Sequence, residues 1–300
     1  MTGADVRDDP VASRFIWRTS RRVLDLSRRP LIMGILNVTP DSFSDGGRWY
    51  DPERAVARAL EMADEGADLI DIGGESTRPG SFPIPADEEL RRVMPVIERL
   101  AGSSAVPLSI DTTKSVVAAR ALAAGVEIVN DISGLTFDAA MAEAVAVSGA
   151  GLVIMHTRGR PEVMQRDTLY ASLIPDVCAS LRASLERAAA AGIQGEQVVL
   201  DPGIGFGKDR EGNLELLRNL KEFSSFDRPL LVGTSRKGFT GTAAGRTIKD
   251  RIYTTAATVA LAVANGATVL RVHDVAAMRD VADMAWEITR KSRYHSGAFG

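Results

Sequence analysis

The chain has 300 residues, 45% of them hydrophobic, enough for one globular domain with a substantial core. A formal net charge of −3 argues against a general nucleic-acid-binding surface, and no apolar run reaches the roughly 18 residues of a membrane span. The single cysteine, Cys178, excludes an intrachain disulfide and cysteine-cluster zinc sites and fits a reducing, cytoplasmic setting. His156, His273 and His295 lie too far apart for HxxxH spacing.

In chain order, residues 1–13 are polar and acidic, unlike a signal peptide, and read as a disordered tail. The alternation in Phe15–Arg18 and Val23–Leu26 predicts a short hairpin that plugs the floor of whatever follows. Eight apolar runs come next, each followed by a helical pattern. Leu31–Val38 precedes a helix over 51–66, and Leu69–Gly73 one over 85–100. Val106–Ile110 precedes 114–124, Val126–Val129 precedes 137–148, and Gly151–Met155 precedes 166–191. Gln197–Leu200 precedes 211–221, Pro229–Gly233 precedes 248–265, and Thr268–Leu270 precedes 275–291. Asp51 followed by Pro52 reads as an N-cap and first-turn proline. Gly66, Gly125, Gly192 and Gly266 stand where helix C-caps end on glycine. Eight such units with no crossover break predict an α/β chain of the (β/α)8 TIM-barrel type with a short N-terminal hairpin extension. The single domain is placed at 14–292, with a flexible tail at 293–300.

Nearly every apolar run ends on a polar or ionisable residue. The ends carry Asn37, Asp71 with Glu75, Asp111, Asn130, His156, Asp201, Ser235 with Lys237, and Arg271 with His273. A barrel of this kind puts its active site at the carboxyl ends of its strands. The first long loop, 37–47, offers oxygen ligands for a hard cation such as Mg2+, or is an ordinary polar loop; Phe43 within it favours a function. The second, 73–80, has paired glycines for close ligand approach, and Arg78 either grips an anion or is solvated. Asp111, Asn130 and Asp201 each end a buried strand, so each needs a donor-rich ligand edge, such as that of a 2-amino-4-oxopterin, unless it caps a helix. The 201–208 segment is neither a Walker loop nor a convincing dinucleotide fingerprint and reads as a tight loop lining the pocket with Phe206. Lys237, Arg271 and His273 suit a pyrophosphate leaving group; a Schiff base on Lys237 is the alternative.

Seven segments stand in order: MGILNVTPDSFSDGG, DIGGESTRPG, SIDT, NDISG, DPGIGFGK, SRK and RVHD. Together they closely resemble the dihydropteroate synthase family of pterin-binding barrels, over about residues 15–290. The resemblance implies condensation of 6-hydroxymethyl-7,8-dihydropterin pyrophosphate with p-aminobenzoate, giving 7,8-dihydropteroate and pyrophosphate in folate biosynthesis. It implies Asp111, Lys237, Arg271 and His273 as the catalytic groups. The pterin pyrophosphate would be bound by these four with Thr77, Asn130, Ile132, Met155, Asp201, Phe206 and Gly233. Phe43, Thr77, Arg78, Pro79, Lys237 and Gly238 would shape the p-aminobenzoate site, which sulfonamides would also enter. Asn37, with Asp45, would hold Mg2+, and the family habit is a homodimer with 275–291 as an interface. No nucleic-acid or membrane partner is expected. The chain departs from the family at Gly238, where serine is common, at Thr113, where a large residue is common, and at Thr157, where methionine is common. Two other readings are a methyltetrahydrofolate-dependent methyltransferase and a pterin-binding paralogue without turnover; SRK and RVHD argue against the first.

Overall fold

The computed structural model describes residues 15–39, 51–241 and 251–289. Strands β1 (Ile16–Arg18) and β2 (Val23–Asp25) form the expected antiparallel hairpin. Trp17 is fully buried, and its indole N–H donates to the carbonyl of Gln197 at 2.9 Å. With Leu26 it packs against Leu31, Leu69, Ile128, Val153, Val199, Leu231 and Val269, inward residues low on the larger strands. The hairpin therefore plugs the amino-terminal floor, as the alternation predicted.

Eight parallel strands follow: β3 (Leu31–Asn37), β4 (Leu69–Gly73), β5 (Leu108–Asp111), β6 (Ile128–Asp131), β7 (Gly151–Met155), β8 (Val198–Asp201), β9 (Leu231–Val232) and β10 (Val269–Val272). Each pairs with its sequence neighbour from β3 to β8, β9 pairs with β10, and β10 pairs with β3. A parallel bridge from Leu200 to Leu230 joins β8 to the start of β9 and closes the barrel. Eight helices cover it: α1 (Pro52–Asp64), α2 (Ala86–Leu100), α3 (Ser115–Ala123), α4 (Met141–Ser148), α5 (Leu173–Ala190), α6 (Arg210–Arg218), α7 (Ile252–Ala264) and α8 (Val275–Thr289). Side chains alternate across each strand. Ile70, Ile72, Ile110, Leu152 and Ile154 pack outward in the core shared with the helices, which leaves Asp71, Asp111 and Met155 facing in.

The capping signals read correctly. Asp51 accepts from the Glu53 amide at 2.9 Å, and Gly66, Gly125, Gly192 and Gly266 take φ of 97, 111, 91 and 98°. Several predicted bounds move. α4 starts at Met141, not 137, because Asp131 holds the amides of Ser133 and Leu135 in a turn with positive φ at Gly134 and Leu135. α5 starts at Leu173, not 166, because Tyr170 Oη donates to the Gly207 carbonyl at 2.9 Å and Met164 packs with Ile132, Met155 and Phe206, which hold 157–172 as a loop against the barrel mouth. α6 gives way to a 3-10 segment at Leu220–Phe226, and β9 keeps only two residues of the run 229–233. The predicted start of the α7 segment at 248, and both predicted tails, lie outside the described residues.

Candidate active site

Inward residues change character up the barrel, from an apolar floor to a polar mouth. Asn37, Asp71, Asp111, Asn130, Met155, Asp201 and Arg271 occupy the upper level. Arg271 ties it together: Nε donates to Asp71 Oδ2 and Nη2 to Asp111 Oδ2, both at 2.6 Å. Asn130 Nδ2 also donates to Asp71 Oδ2, at 2.9 Å. Asp71 Oδ1 and Asp111 Oδ1 are buried with no protein donor. Burial, with the charge of Asp71 adding to it, pushes Asp111 up to about 7 against the pull of Arg271. Such a carboxylate can accept from a donor-bearing ligand.

Helix capping is excluded for Asp111. The α3 amide of Ser115 is taken instead by Asp138 at 2.7 Å, and Asp111 turns inward to Arg271. Asp201 does serve a turn, since Oδ1 accepts from the Gly203 amide at 2.7 Å. Burial raises its pKa, while the facing Lys237 opposes that.

The 201–208 loop shows why its glycines are spaced as they are. Gly203 has φ of 73°, and a Cβ there would sit 1.8 Å from the His156 carbonyl. Gly205 has φ of 87° and lets the Lys237 stem cross its face, where a Cβ would come within 2.8 Å of Cδ. These glycines admit a lysine and a strand end, not a phosphate. Lys237 Nζ donates to the Ile204 carbonyl and lies 4.6 Å from the centre of the Phe206 ring. Burial brings Lys237 down to about 8, with Asp201 working against the shift. Arg236, at φ of 58°, turns outward to Asp274 at 2.5 Å. His273 Nδ1 shares a hydrogen bond with the Ser235 hydroxyl, 3.0 Å away, and burial lowers the ring to about 3. It is a neutral hydrogen-bonding group at physiological pH, not a cation.

Ile132, Met155 and Phe206 form one apolar wall, with Met164 added from the loop after β7. Thr77, Arg78 and Pro79 lie at the rim, on a loop whose Gly80 amide donates to the Pro161 carbonyl at 2.9 Å. Beneath it Lys114 pairs with Glu75 at 2.7 Å and with the fully buried Glu89 at 2.6 Å. Gly233 backs onto Arg271, and Gly238 opens a 3-10 turn after Lys237. Phe43 and Asp45 lie outside the described residues. Asn37 is half-buried at the end of β3, and among the described residues no three acidic, histidine or cysteine side chains cluster as a metal site. A neutral amide oxygen fits Mg2+ arriving with phosphate oxygens, because that ion keeps most of its shell as water and substrate.

Sequence reasoning assigned no role to Asp71, to Met164, or to the pair His156 and Lys208, whose Nδ1 and Nζ are 2.8 Å apart. Asp71 did carry a signal: it is an acid two residues after the inward-facing Leu69.

A family model described as a pterin binding enzyme matches residues 33–273. The dihydropteroate synthase of Synechocystis sp. is 45% identical, over 88% of this chain and 93% of that protein. The crystal structure of Xanthomonas albilineans dihydropteroate synthase with 4-aminobenzoic acid is 42% identical, with TM-score 0.86 over 93% of this chain and all of that one. The Yersinia pestis enzyme, solved with a sulfonamide drug, is 41% identical, with TM-score 0.85 over 91% of this chain and 98% of that one. The chain belongs to the dihydropteroate synthase family of pterin-binding enzymes.

Proposed function

We infer that this barrel mouth carries out the family's condensation. The chain is a transferase that joins 6-hydroxymethyl-7,8-dihydropterin pyrophosphate to p-aminobenzoate and releases pyrophosphate. One observation carries the division of labour: buried acceptors on Asp111, Asn130 and Asp201 stand beside the wall of Ile132, Met155 and Phe206. A flat ring with a polar N–H edge suits that pairing.

Asp111, Asn130 and Asp201 take the pterin N–H groups. Arg271, with neutral His273 as a hydrogen-bond partner, receives the pyrophosphate at the mouth. The carbon–oxygen bond to pyrophosphate breaks, and the electron pair leaves with oxygen. The positive charge left on the pterin methylene faces Asp111. The arylamine nitrogen then bonds to that carbon and gives up a proton, which the released pyrophosphate or water takes. Lys237 acts as a cation and donor between the two substrates, neither of which offers an aldehyde or ketone for a Schiff base. Asn37 would hold Mg2+ on the pyrophosphate, where the ion neutralises charge on the leaving oxygens. Thr77, Arg78 and Pro79 shape the p-aminobenzoate end, where sulfonamides compete.

Purified chain supplied with both substrates and Mg2+ should form dihydropteroate and pyrophosphate; no product from folded protein would overturn the reading. Excess EDTA should stop product formation, and Mg2+ should restore it; an undiminished rate after verified metal removal would exclude the metal role. In the same assay, sulfonamide inhibition should be relieved by added p-aminobenzoate, and inhibition indifferent to it would move the drug site elsewhere.

Gly238 gives a graded test of the p-aminobenzoate end. Among the described residues, no heavy atom beyond its chain neighbours lies within 4 Å of a Cβ placed there, so serine fits the space they leave. Its hydroxyl would offer the aminobenzoate carboxylate one donor at a wet rim, at the low end of the range for charged hydrogen bonds. Gly238→Ser should therefore lower the Michaelis constant for p-aminobenzoate about threefold to tenfold and leave the pterin constant unmoved. An unchanged aminobenzoate constant in a variant with the parental melting curve would remove Gly238 from the site.

The helix pair α7 and α8 exposes Tyr253, Leu261, Met284 and Ile288, an apolar surface that supports a homodimer. Light scattering reads this as twice the chain mass, and a single-chain mass at micromolar concentration would refute it. The free thiol of Cys178 is in keeping with a reducing cytoplasm, and a fluorescent fusion seen elsewhere would refute that placement.

A further inference from the structure

Among the described residues, Lys208 is the one charged residue in the set of largest fully buried side chains, at 2% exposure. Its Nζ lies 2.8 Å from His156 Nδ1, 2.9 Å from the Gly203 carbonyl and 2.8 Å from the Phe206 carbonyl. Burial lowers Lys208 to about 7, and it is the protonated form whose three protons match these three acceptors, so in that form the cluster is complete. Burial and the adjacent Lys208 charge bring His156 down to about 3, which leaves Nδ1 free to accept. The His156 amide in turn donates to the Asp201 carbonyl at 2.9 Å. One ammonium thus joins the end of β7 to two points of the loop after β8.

That loop also sets the pterin end of the site. The Gly203 amide fixes Asp201 Oδ1, the Ile204 carbonyl takes Lys237, and the Phe206 ring lies under Lys237. We propose that Lys208 is a positioning residue: its buried ammonium, seated on His156, holds the Gly203–Phe206 loop so that Asp201, Phe206 and Lys237 converge before the pterin arrives. The inference rests on the pterin reading above. Lys208 touches no substrate; it acts through the loop backbone, and its work is pre-organisation.

The test separates positioning from plain stability. Wild-type chain must first form dihydropteroate; if it does not, the functional reading fails and Lys208 is not at issue. With active wild type, pterin binding is measured by calorimetry with 6-hydroxymethylpterin, at a temperature where near-ultraviolet circular dichroism shows every variant folded. Lys208→Met should weaken that binding and lower kcat/KM for the pterin pyrophosphate by about a hundredfold, the scale of loss for a misplaced site. The milder His156→Leu removes one acceptor and should weaken pterin binding about tenfold, with His156→Asn restoring most of it through an amide oxygen at the place of Nδ1. Folded Lys208→Met with parental pterin affinity would overturn the proposal. If Lys208→Met does not fold, the histidine pair decides: equal pterin affinities in His156→Leu and wild type would overturn it as well.

Discussion

Arg271→Met is expected to lower the melting temperature by about 10 °C and to cut turnover by two to three orders of magnitude. The first effect follows from what Arg271 neutralises. It donates to Asp71 and Asp111 at 2.6 Å each, and both carboxylates are buried. Removing one partner of a buried charge cluster costs roughly 3–5 kcal/mol, and each kcal/mol moves the midpoint of a domain of about this size by roughly 2–4 °C. The second effect follows from the role proposed for Arg271 at the leaving group, where a pre-organised donor is worth about 10²–10³ in rate. Asp71→Asn in the same chain should restore part of the melting temperature but none of the turnover, a non-additivity that separates the two roles. The pH dependence has a definite sign. A carboxylate whose folded pKa is raised binds more protons folded than unfolded, so its stability contribution is lost as pH rises from the unfolded value toward the folded one. Asp111 sits at about 7 even with Arg271 present. Without Arg271 it rises further, so the melting gap to wild type should stay level below about pH 6 and widen from about pH 7 upward. A gap that narrows as the pH rises would show that Arg271 does not favour the ionised form of Asp111.

How much of this was legible depended on whether the signal was local. The barrel was legible because each strand is a short apolar run closed by a polar residue, and buried parallel strands read in just that way. The same continuity left Asp71 as a polar strand end without a role. Inside Leu69–Gly73 it looks like an interruption of a strand, and only the in-and-out alternation, set by barrel closure, aims it at Arg271, 200 residues away. The hairpin floor was legible from alternation alone, since one face of it is buried. Lys208 and His156 were read only as a loop lysine and a strand end. Their contact depends on β7 and β8 lying side by side, 52 residues apart in sequence. The start of α5 was misplaced for a related reason. Met164 lies just before the predicted start at 166, in a loop that faces the pocket wall rather than a helix stripe. Local periodicity cannot tell those two destinations apart.

Asp201→Asn should cost the most pterin affinity of any conservative change at the mouth. Asparagine keeps an oxygen for the Gly203 amide, which Asp201 Oδ1 accepts at 2.7 Å, so the turn survives. What goes is the charge and the second acceptor, which is replaced by an N–H2 facing the N–H edge of the ring. A hydrogen bond to a charged group contributes about 1.5–3 kcal/mol, so the loss of this acceptor predicts pterin binding weaker by about 10–10². A second consequence reaches Lys237, whose charge Asp201 supports against burial. Without that carboxylate Lys237 falls further below its present value of about 8 and is neutral over more of the working range. Binding of p-aminobenzoate should therefore weaken at alkaline pH in the variant, although Asp201 lies at the pterin end. Stability should move the other way. Burial raises the pKa of Asp201, so its ionisation at neutral pH opposes folding, and asparagine removes that opposition. The melting temperature should hold or rise while affinity collapses, the pattern of a residue kept for function at the expense of stability. Calorimetry with a pterin, beside a melting curve, reads both. Unchanged pterin affinity in Asp201→Asn would assign the carboxylate to its turn with Gly203 and take it out of the binding edge.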